Sequence, residues 1–318
     1  MKIKNIFAAL VCAGSLFLPS MASNLSLHSE YAMVVDRATG ATLFEKSSTS
    51  SAPIASVTKL MTAMVALDQK LDPQEVLTIT EDDVDNIKHS SSKLRVGSQL
   101  TRNEMLRVAL MSSENRAAHA LARTAPGGVT GFVAAMNRKA LDFGMSGTHY
   151  VDPTGLSPEN TSTAADLGRL ARRVSAYPAI TDFTTTTAKT VAVGSHFQSF
   201  HNTNPAVGKK GWAFWLSKTG FINEAGRCMV VGLTTAGRDV VVVLMGARST
   251  AARSQDLAHL KAWSAGEQAP PRLLARKRAG VKRSNVMASK KTHGHERGHR
   301  QKALVVAPMV VSRTPLRG

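Results

Sequence analysis

The spacing of apolar residues changes period along this chain. Tyr31 to Asp36 and Ala41 to Lys46 alternate around a turn ending at Gly40, which predicts a β-hairpin. Between Ser47 and Leu67 the single charged side chain is Lys59. At about 100° per residue, Val57, Leu60, Met61, Ala63, Met64, Val65, Ala66 and Leu67 cover most of a helical circumference. The stretch reads as a buried helix opened by Pro53. Thr101 followed by Glu104 predicts a capped helix to about Met111, which stops at Ser112-Ser113-Glu114-Asn115. Further helices are predicted from Arg116 to near Pro126, from Thr130 to Phe143, and from a cap at Ser162 to Asp166 on to Ser175. Beyond these, "AFWLSKTGF", "CMVVGLTT" and "VVVVLMGA" are strand-like runs separated by "NEAGR" and "AGRD" turns, and Ala252 to Trp263 forms a last helix. A terminal hairpin, a helical middle, a three-strand meander and a final helix make an α+β layout in which one antiparallel sheet unites both ends.

The ends follow other patterns. Lys2 and Lys4 precede an apolar run from Ile6 to Leu18, and Ser20 and Ala22 supply the small residues of a cleavage site, so residues 1–22 read as a secretory signal peptide. The run is shorter than the roughly 20 apolar residues of a membrane span, as is "ALVVAPMVV" near the C-terminus. With the signal removed Cys228 is the only cysteine, which leaves no intramolecular disulfide and a thiol best read as a buried hydrophobe. The formal charge is +18, but Ser264 to Gly318 holds 13 Lys and Arg against 2 acidic residues, a net of +11. The reading is therefore a packed domain over 23–265 and a basic, disordered tail over 266–318. Such a tail suits polyanions or a membrane surface. The packed region has modest charge and few aromatic residues for base stacking, and no nucleic-acid partner is expected.

Lys59 carries the chemistry. An unpaired ammonium in a buried helix costs several kcal/mol, so it is paired, neutralised or let out to water. Ser56 lies three residues earlier on the same face, and a desolvated lysine beside a serine is a means of activating a nucleophile. Two further sites fit. Ser113 and Asn115 lie at a break between helices, and Lys218, Thr219 and Gly220 lie on a strand. Ser113 suits relaying a proton or holding Lys59. Lys218 suits lowering its proton affinity. The backbone N–H groups of Ser56 and Phe221 suit an oxyanion, Thr219 and Lys218 a substrate carboxylate, and Asn115 a peptide amide. The strand edge suits an extended peptide.

The three-part pattern S-x-x-K, S-x-N and K-T-G resembles that of serine β-lactamases and penicillin-binding proteins. From about Tyr31 to Trp263 the chain resembles the low-molecular-weight penicillin-binding proteins, the D-alanyl-D-alanine peptidase family. The motifs that carry this are "ASVTKLMTA", "LMSSENRAA", "MNRKALDFGM", "DPTGLSPENTSTAADL", "HNTN" and "LSKTGF". Glu114 and "HNTN" point to its endopeptidase branch, the penicillin-binding-protein-7 type. The resemblance implies a periplasmic enzyme that needs no cofactor. It would hydrolyse D-alanyl-diaminopimelate cross-links of peptidoglycan peptides through acyl-Ser56 and be inhibited by β-lactam antibiotics. A D-alanyl-D-alanine carboxypeptidase is the alternative. A β-lactamase lacks its deacylating glutamate here, Glu159-Asn160 being a poor substitute. His295-Glu296-Arg297-Gly298-His299 fits H-E-x-x-H but lies in a polar segment with no apolar face to fix two imidazoles, so no metal site is expected.

Overall fold

The computed structural model describes residues 25–267. The basic segment beyond, its H-E-x-x-H match and the signal sequence lie outside the described residues. The hairpin forms as read, with β1 at Tyr31–Asp36 and β2 at Thr42–Lys46. The next stretch departs from the expectation. Ala52–Pro53 form a short strand, β3, followed by a 3-10 turn at Ala55–Thr58, and the helix α1 begins only at Lys59 and runs to Asp68. Pro53 thus opens no helix. Ala55 has φ +49°, outside the helical range, and the chain has to turn through it before α1 starts. A 3-10 turn stacks positions i and i+3, which suits Ser56 and Lys59 better than a regular helix.

The helical part follows. Val76–Thr78 (β4) pairs with Gln99–Thr101 (β5), and Thr101 accepts the Glu104 N–H to cap α2, Arg102–Met111. Helices α3 (Asn115–Arg123) and α4 (Gly128–Asp142) lead to β6 (Thr161–Ser162), which pairs with β3. Helix α5 spans Ala164–Val174; its cap is Thr163, which accepts from Asp166 N–H, and not Ser162. Besides the short strands β3 to β6, the sequence reading did not anticipate α6 at Pro178–Thr185 or a hairpin of β7 (Ala188–Val193) and β8 (His196–His201).

Strands β9 (Ala213–Ile222), β10 (Gly226–Thr235) and β11 (Arg238–Ala247) then complete an antiparallel sheet of order β2-β1-β11-β10-β9, and α7 (Thr250–Ser264) closes the domain. Both faces of this sheet are covered. Val241, Val243 and Met245 of β11 point into the main core with the helices, while Val240, Val242 and Leu244 pack with Leu257 and Leu260 of α7. That alternation locks the register, because a one-residue slip would exchange the two sets. Cys228 is buried between the layers and its thiol is pushed up to about 11 by burial, as expected of a packing residue. The sheet ends at β9, whose outer edge faces the 3-10 turn and α6.

Candidate active site

Lys59 is fully buried and its amine meets three acceptors, all neutral: Ser56 Oγ at 2.8 Å, Asn115 Oδ1 at 2.7 Å and the Thr154 carbonyl at 2.6 Å. A neutral amine has two N–H donors and one lone pair. Two carbonyl-type acceptors use the donors, which aims the lone pair at the Ser56 hydroxyl. Burial pulls the Lys59 pKa from its ordinary range down to about 7; the nearby carboxylates of Asp152, Glu114 and Asp85 oppose that fall. The amine is therefore poised to take a proton near neutral pH.

Lys218, on β9, is equally buried and donates to Ser113 Oγ at 2.9 Å and to the Thr219 carbonyl at 2.9 Å. Its pKa lies well below the ordinary lysine value, from burial first and then from the cations Lys59 and Arg253. Ser113 itself has φ +63°, a conformation unusual for a residue with a Cβ, which turns its hydroxyl toward Lys218. Two sequence expectations change here. Ser113 holds Lys218 and not Lys59, and the Asn115 amide is already engaged, its Oδ1 with Lys59 and its Nδ2 donating to Ser90 Oγ at 2.8 Å. Lys218 is fully buried, and its two hydrogen bonds run to Ser113 Oγ and the Thr219 carbonyl.

The strand approaches Ser56 at Gly220. A Cβ there would lie 3.0 Å from Ser56 N and 2.9 Å from the Ile54 carbonyl, so only glycine lets β9 come this close. The Ser56 nitrogen lies at that point of contact, and Phe221 follows Gly220 on the strand. The Phe221 side chain is half exposed, with the Arg227 guanidinium 3.6 Å from its ring centre. Thr219 donates to Thr203 Oγ1 at 2.7 Å, and Thr203 belongs to "HNTN". Its neighbours fix it: Asn202 donates to the Thr184 and Thr186 carbonyls at the end of α6, and Asn204 donates to Ser217 Oγ. Thr203 thus joins the site, although sequence reasoning had used "HNTN" only as a family mark.

Two loops complete the surroundings of Lys59. In residues 152–160, Asp152 Oδ1 accepts from Thr154 N–H and Oγ1–H and from Gly155 N–H, while Oδ2 accepts from Ser157 N–H. Asn160, fully buried, accepts from Val151 and Asp152 N–H and donates to Thr58 Oγ1 and the Asp152 carbonyl. Gly155 has φ +82° and a Cβ there would overlap the Ala55 carbonyl oxygen. Glu159 is exposed, so this segment offers Ser56 no buried carboxylate from it. In residues 84–96, Ser90 takes the Asn115 amide, and buried Glu114 accepts from Ser92 Oγ–H at 2.6 Å and Lys93 N–H at 3.1 Å. His119 is occupied by buried Asp83 at 2.8 Å. Among the described residues no group of three or more His, Cys, Asp or Glu side chains is placed to hold a metal ion.

Comparison with known proteins bears on this arrangement. Residues 19–249 match the family described as D-alanyl-D-alanine carboxypeptidase. The chain is 46% identical over 239 residues to a D-alanyl-D-alanine endopeptidase of Pseudomonas aeruginosa, covering 74% of this chain and 77% of the relative. It is 40% identical over 244 residues to a D-alanyl-D-alanine endopeptidase of Escherichia coli, covering 76% and 79%. The crystal structure of the Streptomyces K15 DD-transpeptidase superimposes with a TM-score of 0.69 at 26% identity, over 76% of this chain and 97% of that one.

Proposed function

We propose that this chain, which belongs to the D-alanyl-D-alanine carboxypeptidase family and is a serine DD-peptidase, cleaves D-alanyl-diaminopimelate cross-links in peptidoglycan. The observation that carries the reading is the 2.8 Å contact between Ser56 Oγ and an amine held near pKa 7. Neutral Lys59 takes the Ser56 proton as Oγ attacks the carbonyl carbon of the D-alanine. The oxyanion that forms is met by the Ser56 and Phe221 N–H groups, whose dipoles are fixed before reaction. Lys59 then returns a proton to the leaving amine, the C–N bond breaks, and an acyl-Ser56 ester remains. Water hydrolyses the ester with Lys59 again holding the proton. Thr219 and Thr203 hydroxyls, with Lys218 behind Ser113, suit the substrate carboxylate on the leaving-group side.

Preference for cross-links over terminal D-alanine is supported by the endopeptidase names of the two relatives above and by Glu114, which ties the second motif to the 84–96 loop. The same chemistry makes Ser56 the site of acylation by β-lactams. Periplasmic action accords with the signal-like N-terminus, and the net +11 of the C-terminal segment suits retention on anionic wall or membrane surfaces. Mass spectrometry decides the substrate. Purified protein is expected to split cross-linked muropeptide dimers into monomers much faster than it releases D-alanine from monomeric pentapeptide. Release from pentapeptide at an equal or higher specificity constant, with dimers intact, would assign it as a carboxypeptidase.

A further inference from the structure

The 84–96 loop and the β9–β10 turn are joined by an ion pair that the chemistry above leaves without a task. Lys88 Nζ lies 2.6 Å from Glu224 Oε1. Lys88 belongs to the 84–96 loop of the helical part, and Glu224 sits in the β9–β10 turn, just beyond Phe221. The lysine stands on a fixed base, because Asp85 Oδ1 accepts from Ile87 and Lys88 N–H at 2.9 Å each and Oδ2 accepts from Ser90 N–H at 2.8 Å. Through Ser90 and Asn115 that base is tied to Lys59. Beneath the loop lies a cavity of about 240 Å³ whose lining includes Ile87, Asn115, Pro153, Thr154 and Leu156. Asn115 and Thr154 are two of the three Lys59 acceptors, so the cavity begins one residue from the amine.

The direction of a bound peptide follows from the proposed reaction, on which this inference rests. With the carboxylate on the Thr219 side and the oxyanion between Ser56 and Phe221, the acyl-side peptide runs along β9 past Phe221 toward Glu224. We infer that Lys88 and Glu224 form a latch across the acyl-side end of the cleft, which discriminates reactants by the length of peptide on that side. A reactant that ends at the acylating D-alanine fits within the latch. A stem peptide that continues past Phe221 has to part the pair, and then meets the exposed side chains of Ile87 and Phe221 as an apolar wall for its aliphatic portions. The two side chains are 30% and 41% exposed, so the pair is weak, easily opened and screened by salt.

The test compares an N-acetyl-D-alanyl thioester with two longer substrates, monomeric pentapeptide and the cross-linked dimer, in the wild type, Lys88→Ala, Glu224→Ala and the charge-exchanged Lys88→Glu/Glu224→Lys. Pentapeptide and dimer share the acyl-side peptide and differ in the leaving group, so the latch acts on both whichever the enzyme prefers. Each single variant is expected to raise kcat/KM for the longer substrates about threefold to fivefold, through KM, and to leave the thioester rate unchanged. The exchanged pair should restore the wild-type values, and added salt should move the wild type toward the single variants. Equal changes on the thioester, no change on pentapeptide, or a raised KM for the longer substrates would overturn the latch. Dimers left intact by every variant, with the pentapeptide effect present, would overturn the endopeptidase reading alone.

Discussion

The two loops that reach Lys59 hold it by different means. Residues 152–160 touch the amine directly through the Thr154 carbonyl and are closed on themselves by Asp152 and Asn160, with Gly155 pressed against the turn that carries Ser56. Residues 84–96 reach it through Ser90 and Asn115, and their outer end is fastened by an exposed ion pair. One side of the amine is therefore set by a loop that Asp152 and buried Asn160 tie to itself and to Thr58. The other is set by a short relay whose far end is held by side chains in contact with solvent. A serine DD-peptidase of the proposed kind, which keeps its base in register while admitting a bulky peptide, is served by both.

If that contrast holds, damage to the first loop is the more severe. Gly155→Ala is expected to lower Ser56 acylation by a fluorescent penicillin by about a hundredfold or more, since displacing the Ala55 carbonyl moves the adjacent serine by something like 1 Å. Near-normal labelling of the folded variant would break the comparison. Asn160→Ala leaves the Val151 and Asp152 N–H groups and Thr58 without their partner, and should cost about 2–3 kcal/mol, read as a lowered unfolding midpoint.

Titration sharpens the same contrast. The labelling rate should rise with pH through a midpoint around 7 as Lys59 loses its proton, since only the neutral amine accepts one from Ser56. Removing a nearby negative charge lowers the midpoint, because the carboxylates stabilise the ammonium. Asp152→Asn should lower it more than Asp85→Asn, as Asp152 is the stronger of the two influences. The reverse order in the pH-rate profiles would put the electrostatic control in the outer loop. The smallest effect is expected from Ser90→Ala, which removes one hydrogen bond to Asn115 worth about 1 kcal/mol and should slow labelling by roughly fivefold at most; stopped-flow kinetics would resolve it.

The sheet was legible because Val240 to Met245 and its neighbours are short, β-branched apolar runs bounded by turn residues, and the structure has Val240 to Met245 face two cores in turn. Ser56 was legible from Lys59, a buried charge with a hydroxyl three residues before it, whereas Ser113, Asn115 and the β9 residues were legible from the S-x-N and K-T-G motifs of the family that the chain resembles. Their pairing was not. Which lysine Ser113 serves depends on a left-handed backbone at that residue, and nothing in the spacing encodes it. Pro53 misled because proline suits both a first helical turn and a strand end. Helix α6 followed Pro178 at its first position, but its threonine-rich run has weak helix propensity. The β7–β8 hairpin did alternate, with Val191 and Val193 buried around a Gly194-Ser195 turn, and the signal was there to be read. Asp152 and Asn160 carry no spacing signal that sets them apart from other Asx turn residues; their tie to Lys59 and Thr58 emerges only from the folded loop.

The unpaired edge of β9 has one more consequence, for solubility. A strand that offers free N–H and C=O groups to an extended peptide is equally a template for a strand of another copy, and such edges are where sheet proteins self-associate. Here the 3-10 turn carrying Ser56 and helix α6 pack against β9. Elements packed along a strand in this way hinder the flat approach of a second sheet. The crowding around Ser56 is thus also a device against edge-to-edge association.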